Sequence, residues 1–208
     1  MSETTTLDVP ARWRDYSEPT LPPLLQSALE SFVVQGYHGT TMRTLAAHAG
    51  LSVPGLYHHY DSKHAIIVAI MERAMEDLYA RSIAALEASG PSAEERFRTY
   101  IECLVLFHAN RGDLAFVAAS EIRSLEPAAR DRHVAARDRQ QAILEKIVED
   151  GIAEGDFSPE YPRDSTRAII TMCTGVAQWY TPTGPLSPDE LARRYTAMSL
   201  KAVGRPAS

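Results

Sequence analysis

Imidazoles and two cations are crowded into one short stretch of this chain. Between Leu21 and Ala65 the full positive charges are Arg43 and Lys63, and His38, His48, His58, His59 and His64 fall in the same interval. Such a density suits metal coordination or proton sensing, because a neutral ring nitrogen is a metal ligand and the ring titrates near neutral pH. The spacing speaks against a metal. His58 and His59 are adjacent, so on a helix they point in different directions, and no cysteine or carboxylate joins them at ligand spacing. The two cysteines, Cys103 and Cys173, sit in helix-like apolar patterns, which reads as small buried thiols. The chain shows no nucleophile–base pairing and no phosphate-cradling loop, so nothing in it implies an enzyme or a cofactor.

The elements that must carry these side chains read as helices. Leu24, Leu25, Ala28, Leu29, Phe32 and Val33 recur at spacings of three and four behind Pro22 and Pro23, and Gly36 is placed to end that helix. Thr40 or Thr41 caps a short helix with Met42, Leu45, Ala46 and Ala49 on its apolar face, stopped by Gly50. Ser52 caps a third helix, with Pro54 in its first turn, that runs to about Tyr60. Two short helices around a glycine-containing turn form a helix-turn-helix pattern. Asp61 or Ser62 opens a longer helix that keeps a helical period to the break at Ser89-Gly90-Pro91. Further periodic segments lie at about 92–109, 113–124, 127–154, 162–180 and 187–203, and no alternating strand pattern intervenes. Residues up to about Pro19 show no sustained period and read as a loose arm marked by Arg12, Trp13 and Arg14.

At 208 residues with 45% hydrophobic content, the chain has material for one large or two modest helical domains. No apolar run is long enough to span a membrane and the N-terminus lacks a signal-peptide pattern, so a cytoplasmic, reducing location is expected. The net charge of −6 argues against a protein that coats nucleic acid non-specifically, since that needs clustered Lys and Arg.

The run from Thr40 to Ile67 resembles the DNA-binding domain of the TetR family of regulators. The Gly-Tyr pair before the threonines, Leu-Ala-x-x-Ala-Gly-Leu-Ser, Leu-Tyr-His-His-aromatic and the following Ser-Lys all stand in order within Leu24 to Met71. The resemblance implies an all-α protein: a flexible arm over 1–20, a three-helix helix-turn-helix domain over 21–66, and a larger helical ligand-binding and dimerisation domain over 67–208. It places Val53, Pro54 and Gly55 toward base edges, where they offer apolar contact and close backbone approach and little hydrogen-bond readout. Arg43 matches a base-reading position suited to a guanine. Thr41, Met42, Tyr57, His58 and Lys63 match positions that touch phosphate or flank bases, and His59 matches a DNA-proximal one. The chain departs from the family where Leu21-Pro22-Pro23 replaces the usual basic pair before the first helix, leaving Arg12 and Arg14 as alternative phosphate contacts.

From Ser92 onward the resemblance is to the family's regulatory domain. The segment from Ala168 through Trp179 to Tyr195 is similar to the C-terminal portion of actinobacterial members that respond to acyl-CoA or steroid-derived CoA thioesters, which implies a homodimeric repressor of lipid or sterol catabolism acting on a palindromic DNA operator. Tyr100, Leu104, Phe107, Phe116, Glu121, Arg123, Met172, Trp179 and Tyr180 are the candidate ligand residues, Arg123 as a partner for Glu121 or a CoA phosphate. Ile169, Val176, Leu191, Tyr195, Met198 and Leu200 are candidates for a dimer face. Two other readings stay open: a regulator of drug efflux that senses an aromatic or cationic drug, and a helical ligand-binding or interaction protein without specific DNA binding.

Overall fold

The computed structural model describes residues 13–204, and the described residues contain helices and turns but no strand. In chain order the helices are α1 (Pro23–Gly39), α2 (Met42–His48), α3 (Val53–His59), α4 (Lys63–Glu87), α5 (Ala93–Asn110), α6 (Gly112–Ser120), α7 (Pro127–Glu154), α8 (Pro162–Thr174), α9 (Val176–Trp179) and α10 (Pro188–Ala202). A 3-10 turn at Glu121–Ser124 follows α6.

The stops and caps anticipated from residue type are in place. Gly36 has φ 72° and ψ 160°, a left-handed conformation that a side chain would strain, and it kinks α1 there. Thr41 caps α2 reciprocally: its hydroxyl accepts from the Thr44 N–H at 3.2 Å, and its own N–H donates to the Thr44 hydroxyl at 2.8 Å. Ser52 accepts from the Gly55 N–H at 3.1 Å to cap α3.

Two periodic segments end earlier than their patterns. The 113–124 pattern is α-helical only to Ser120, tightens into the 3-10 turn at Glu121–Ser124 and gives way to extended backbone at Leu125. The 162–180 pattern breaks at Gly175. There the Thr171 and Thr174 hydroxyls donate back to the carbonyls of Arg167 and Thr171 at 2.8 and 3.2 Å, a local bonding that bends helices.

The described residues form two compact units. One comprises Pro19–Asp77 and Arg111–Asp138, so α1, α2, α3 and the first part of α4 share it with α6 and the start of α7. Its core joins Leu25, Leu29 and Phe32 of α1, Leu45 of α2, Leu56 of α3 and Ile66, Ile67 and Ile70 of α4 with Leu114 and Val117 of α6. Polar pins fasten the late segment to the early one. Arg132 meets Glu72 at 3.0 Å, and the Glu126 N–H donates to His64 Nε2 at 3.0 Å.

The other unit comprises the described residues before Pro19, Leu78–Asn110 and the described residues from Arg139 onward. Its centre is α5, which buries Phe97, Tyr100, Ile101, Leu104 and Val105 and packs against α8, α9 and α10. The supposedly loose arm is anchored here from Trp13 to Tyr16. Trp13 is buried, the Arg81 guanidinium donates to the carbonyls of Trp13 and Asp15 at 3.1 and 2.8 Å, and it lies over the Tyr16 ring. Arg14 is engaged with Glu102 of α5, which occupies the charge that the sequence offered to phosphate. Arg12 lies outside the described residues.

Leu56 is fully buried and is the one buried side chain of the seven-residue α3. Leu56→Ala is expected to cost about 2–5 kcal/mol of stability, as large-to-small core substitutions do, which urea denaturation followed by circular dichroism measures.

Candidate nucleic-acid interface

A helix of seven residues does not persist by itself in water, so α2 and α3 depend on burying one side. Leu45 and Leu56 face the core, and the other side of each helix is left to solvent. Thr41 and Arg43 are exposed at the start of α2, Pro54 in the first turn of α3, and Tyr57, His58 and His59 along its end. The His58 and His59 rings are 5.8 Å apart, nearly edge to face. Arg43 thus presents its guanidinium fork to solvent with no carboxylate paired to it among the described residues, as a base- or phosphate-reading group requires. Among the described residues no three His, Cys, Asp or Glu side chains gather as a metal site would need.

The remaining candidates divide their side chains between core and surface. Met42 and Val53 are partly buried against the core cluster. A Cβ on Gly55 would lie only 3.1 Å from the Ser52 hydroxyl, so glycine at this position first of all lets the cap of α3 close. Lys63 turns inward: its ammonium donates to the carbonyls of Tyr37 and Thr40 at 2.6 and 2.8 Å and lies 4.2 Å from the centre of the Tyr37 ring. It therefore ties the end of α1 to the start of α4. The other histidines are also held by the protein. His48 Nδ1 lies 2.6 Å from the Ser31 hydroxyl, His38 Nε2 lies 3.3 Å from the Ser124 hydroxyl, and His64 accepts from the Glu126 backbone.

The candidate ligand residues fall in both units. Tyr100, Leu104 and Phe107 are buried along α5, and Met172 is half-buried on α8. Trp179 is 53% exposed and stacks on Tyr195 at 6.5 Å, while the Tyr180 hydroxyl donates to the Leu186 carbonyl at 2.9 Å. Phe116, Glu121 and Arg123 belong to the unit that holds α1, α2 and α3. There Phe116 and Arg123 are exposed, and the Glu121 carboxylate accepts from Ser124 at 2.7 Å.

Buried polar groups that the residue pattern did not single out lie beside Tyr100. Its hydroxyl donates to the Gln140 carbonyl at 2.7 Å, and Ser82 adjoins the same glutamine. His108, two turns along α5, donates from Nδ1 to the Leu104 carbonyl at 2.7 Å. Burial pushes its pKa down to about 4, opposed in part by that hydrogen bond, so the ring is neutral. Cys103 and Cys173 are both buried and in no disulfide, and burial drives the Cys173 thiol up to about 12, which leaves it inert. A histidine in register with Tyr100 and Leu104 was a readable signal. Gln140 was not, because it lies in a long polar run.

A family model described as "Bacterial regulatory proteins, tetR family" matches residues 24–70, and one described as "Tetracyclin repressor-like, C-terminal domain" matches residues 90–203. The chain belongs to the TetR family. It is a helix-turn-helix transcriptional regulator, and the relatives it resembles are regulators rather than enzymes. The transcriptional repressor KstR2 of Mycolicibacterium smegmatis is 28% identical over 185 residues, covering 86% of this chain and 88% of that protein. The solved ketosteroid transcriptional regulator KstR2 of Mycobacterium tuberculosis superposes with a TM-score of 0.79 at 24% identity, over 86% of this chain and 92% of that one. AibR, solved with isovaleryl coenzyme A and operator DNA, superposes with a TM-score of 0.75 at 24% identity, over 84% and 95%. These two structures share its fold. No helix among the described residues is long and apolar enough to cross a membrane.

The neutral, buried His108 links stability to pH. Its folded pKa of about 4 lies below the ordinary 6.5, so as pH falls through that window the unfolded chain takes up a proton that the folded chain refuses. Stability is retained above pH 6.5 and declines toward pH 4, by about 3 kcal/mol in all from this group. Between about pH 7 and pH 5 the wild type is expected to lose about 2 kcal/mol more than His108→Gln in urea denaturation. Parallel losses in the two proteins would unlink this ring from the acid sensitivity.

Proposed function

We propose that this regulator is a repressor that binds a palindromic operator as a homodimer and is released by a small hydrophobic ligand, an acyl-CoA or steroid-derived CoA thioester. The observation that carries the DNA-binding part is the row of Arg43, Pro54, Tyr57 and His58, left in solvent by helices whose other sides are fixed by Leu45 and Leu56. Such a surface fits a major groove, with Arg43 as the hydrogen-bonding reader and Pro54 and Val53 as apolar contacts. Thr41, Met42, Gly55 and His59 flank it. Lys63 contributes chiefly by holding the bundle in shape, since two of its three N–H groups are committed to backbone carbonyls.

So small a charge complement favours a dimer, in which the second reading surface binds at high effective concentration. Met198 and Trp179 supply exposed apolar surface on α10 and α9, and half-buried Tyr195 stacks on Trp179. Ile169, Val176, Leu191 and Leu200 are buried within their own chain, so the dimer face is drawn from the outward residues of these helices. Sensing is assigned to the unit built on α5, with Tyr100, Leu104, Phe107, Met172, Trp179 and Tyr180 as its contacts. Phe116, Glu121 and Arg123, the remaining candidate ligand contacts, belong to the other unit. Ligand acts by preferring a conformation that DNA does not, and only that difference in affinity can lift repression.

The thioester class draws support from KstR2, described as a ketosteroid regulator, and from AibR, solved with isovaleryl coenzyme A and operator DNA. With DNA flanking its own gene in fluorescence anisotropy, Arg43→Ala is expected to cost about 1–3 kcal/mol and to relax preference at one base position. A uniform loss across sequences would make Arg43 a phosphate contact. Titrating the preformed complex, CoA thioesters are expected to release the DNA where aromatic and cationic drugs do not. Release by drugs alone would transfer the chain to the efflux class, and no salt-dependent preference for any palindrome would remove specific DNA binding altogether.

A further inference from the structure

Ser82 of α4, Tyr100 of α5 and Gln140 of α7 are buried together in one unit, with Gln140 only 4% exposed. The Tyr100 hydroxyl lies 2.7 Å from the backbone carbonyl of Gln140 and 3.0 Å from one atom of its terminal amide, placed as Oε1. The Ser82 hydroxyl lies 2.8 Å from the Leu78 carbonyl and 3.2 Å from that same amide atom. Each hydroxyl has one proton, and a main-chain carbonyl stands nearer to receive it. Both oxygens then turn lone pairs toward the amide. An amide nitrogen at that point donates one hydrogen to each, whereas a carbonyl would face lone pairs twice over. Since the two ends of a glutamine amide are assigned by the network around them, the NH2 belongs between the hydroxyls. The carbonyl oxygen then takes the other end, the position that has no hydrogen-bond partner among the described residues.

A buried carbonyl without a donor is costly, and a side chain clamped by two hydroxyls cannot swing away to find one. A donor brought by a ligand removes the cost. His108 of α5 gives its Nδ1–H to Leu104 and, being neutral, keeps a lone pair on Nε2. A buried acceptor left without a partner favours a ligand that carries a hydrogen-bond donor on an apolar body.

We propose that Gln140 is a ligand-reading residue whose amide carbonyl accepts a hydrogen bond from a hydroxyl group on a hydrophobic effector. The inference rests on the reading of this unit as a sensor and adds to it a preference for hydroxylated over hydroxyl-free ligands. A site built around a hydroxyl rejects the analogue lacking it because its own polar group is then left unpaired.

Calorimetric titration of the full chain with two matched pairs tests this: β-hydroxydecanoyl-CoA against decanoyl-CoA, and lithocholic acid against cholanic acid. In whichever pair binds, the hydroxylated member is expected to bind the wild type about tenfold or more tightly. Q140M is expected to erase the difference by weakening that member, and S82A, which spares the carbonyl, to keep it. A crystal structure with the tighter ligand should show its hydroxyl within hydrogen-bond distance of Gln140, a readout that holds even if Q140M does not fold. Equal binding within both pairs, a preference that survives Q140M, or a hydroxyl seated elsewhere with only water at Gln140 overturns this inference and leaves the sensor standing. Failure of all four compounds to bind overturns the thioester and steroid reading itself, and this inference with it.

Discussion

A seven-residue helix has no stable shape of its own, and the reading surface of this protein is built on two of them. What makes α3 persist is its burial and its surroundings: Leu56 sunk in the core, the Ser52 cap, and the Lys63 ammonium that ties the end of α1 to the start of α4. The core that receives Leu56 also contains Leu114 and Val117 of α6 and Leu125 just beyond the 3-10 turn. The bundle of α1 to α4 is therefore completed by a segment that arrives some fifty residues after α3 in the chain. Removing that segment would expose apolar surface on α1 and α4, so the state of α6 bears directly on the stability of the helices that read DNA.

The same economy shapes the charge of the surface. Lys63 turns inward, Arg14 is taken by Glu102, and His38, His48 and His64 bond to neighbouring hydroxyls or backbone, which leaves Arg43, Tyr57, His58 and His59 outward. One such surface would release few counterions on a duplex, which is why the proposed function calls for two of them. In the homodimer proposed above, specificity would come from the match between two surfaces and two half-sites, a geometric quantity that a modest change in helix packing would spoil.

Much of this was legible in residue types. The Thr41 and Ser52 caps and the apolar periods fix where α2 and α3 begin, and Gly36, expected to end α1, instead kinks it before it runs on to Gly39; each is a local effect of backbone freedom or a nearby hydroxyl. The family pattern singled out Arg43, Pro54, Tyr57, His58 and His59, and these side chains are exposed. What was not legible depends on contacts distant in the chain. The inward turn of Lys63 needs the Tyr37 and Thr40 carbonyls, and the anchoring of Trp13 needs Arg81. A period identifies an apolar face but not its partner, which is why Ile169 and Leu191 looked as suited to a dimer as Met198, though the first two are spent within the chain.

The path of the backbone supplies the last constraint. The chain leaves the DNA-reading unit within α4, between Asp77 and Leu78, returns at Arg111 to add α6, and leaves again within α7, between Asp138 and Arg139. Both crossings lie inside continuous helices. A helix transmits rotation and translation along its length because its backbone hydrogen bonds resist local bending, whereas a loop would absorb them. Ser82 and Gln140 lie within a turn or two of those crossings, one on each helix, and the Ser82 and Tyr100 hydroxyls meet at the Gln140 amide. The hydrogen bonds of Gln140 thus join α4, α5 and α7, and a satisfied polar cluster fixes a single arrangement of these helices where hydrophobic contacts alone would let them slide.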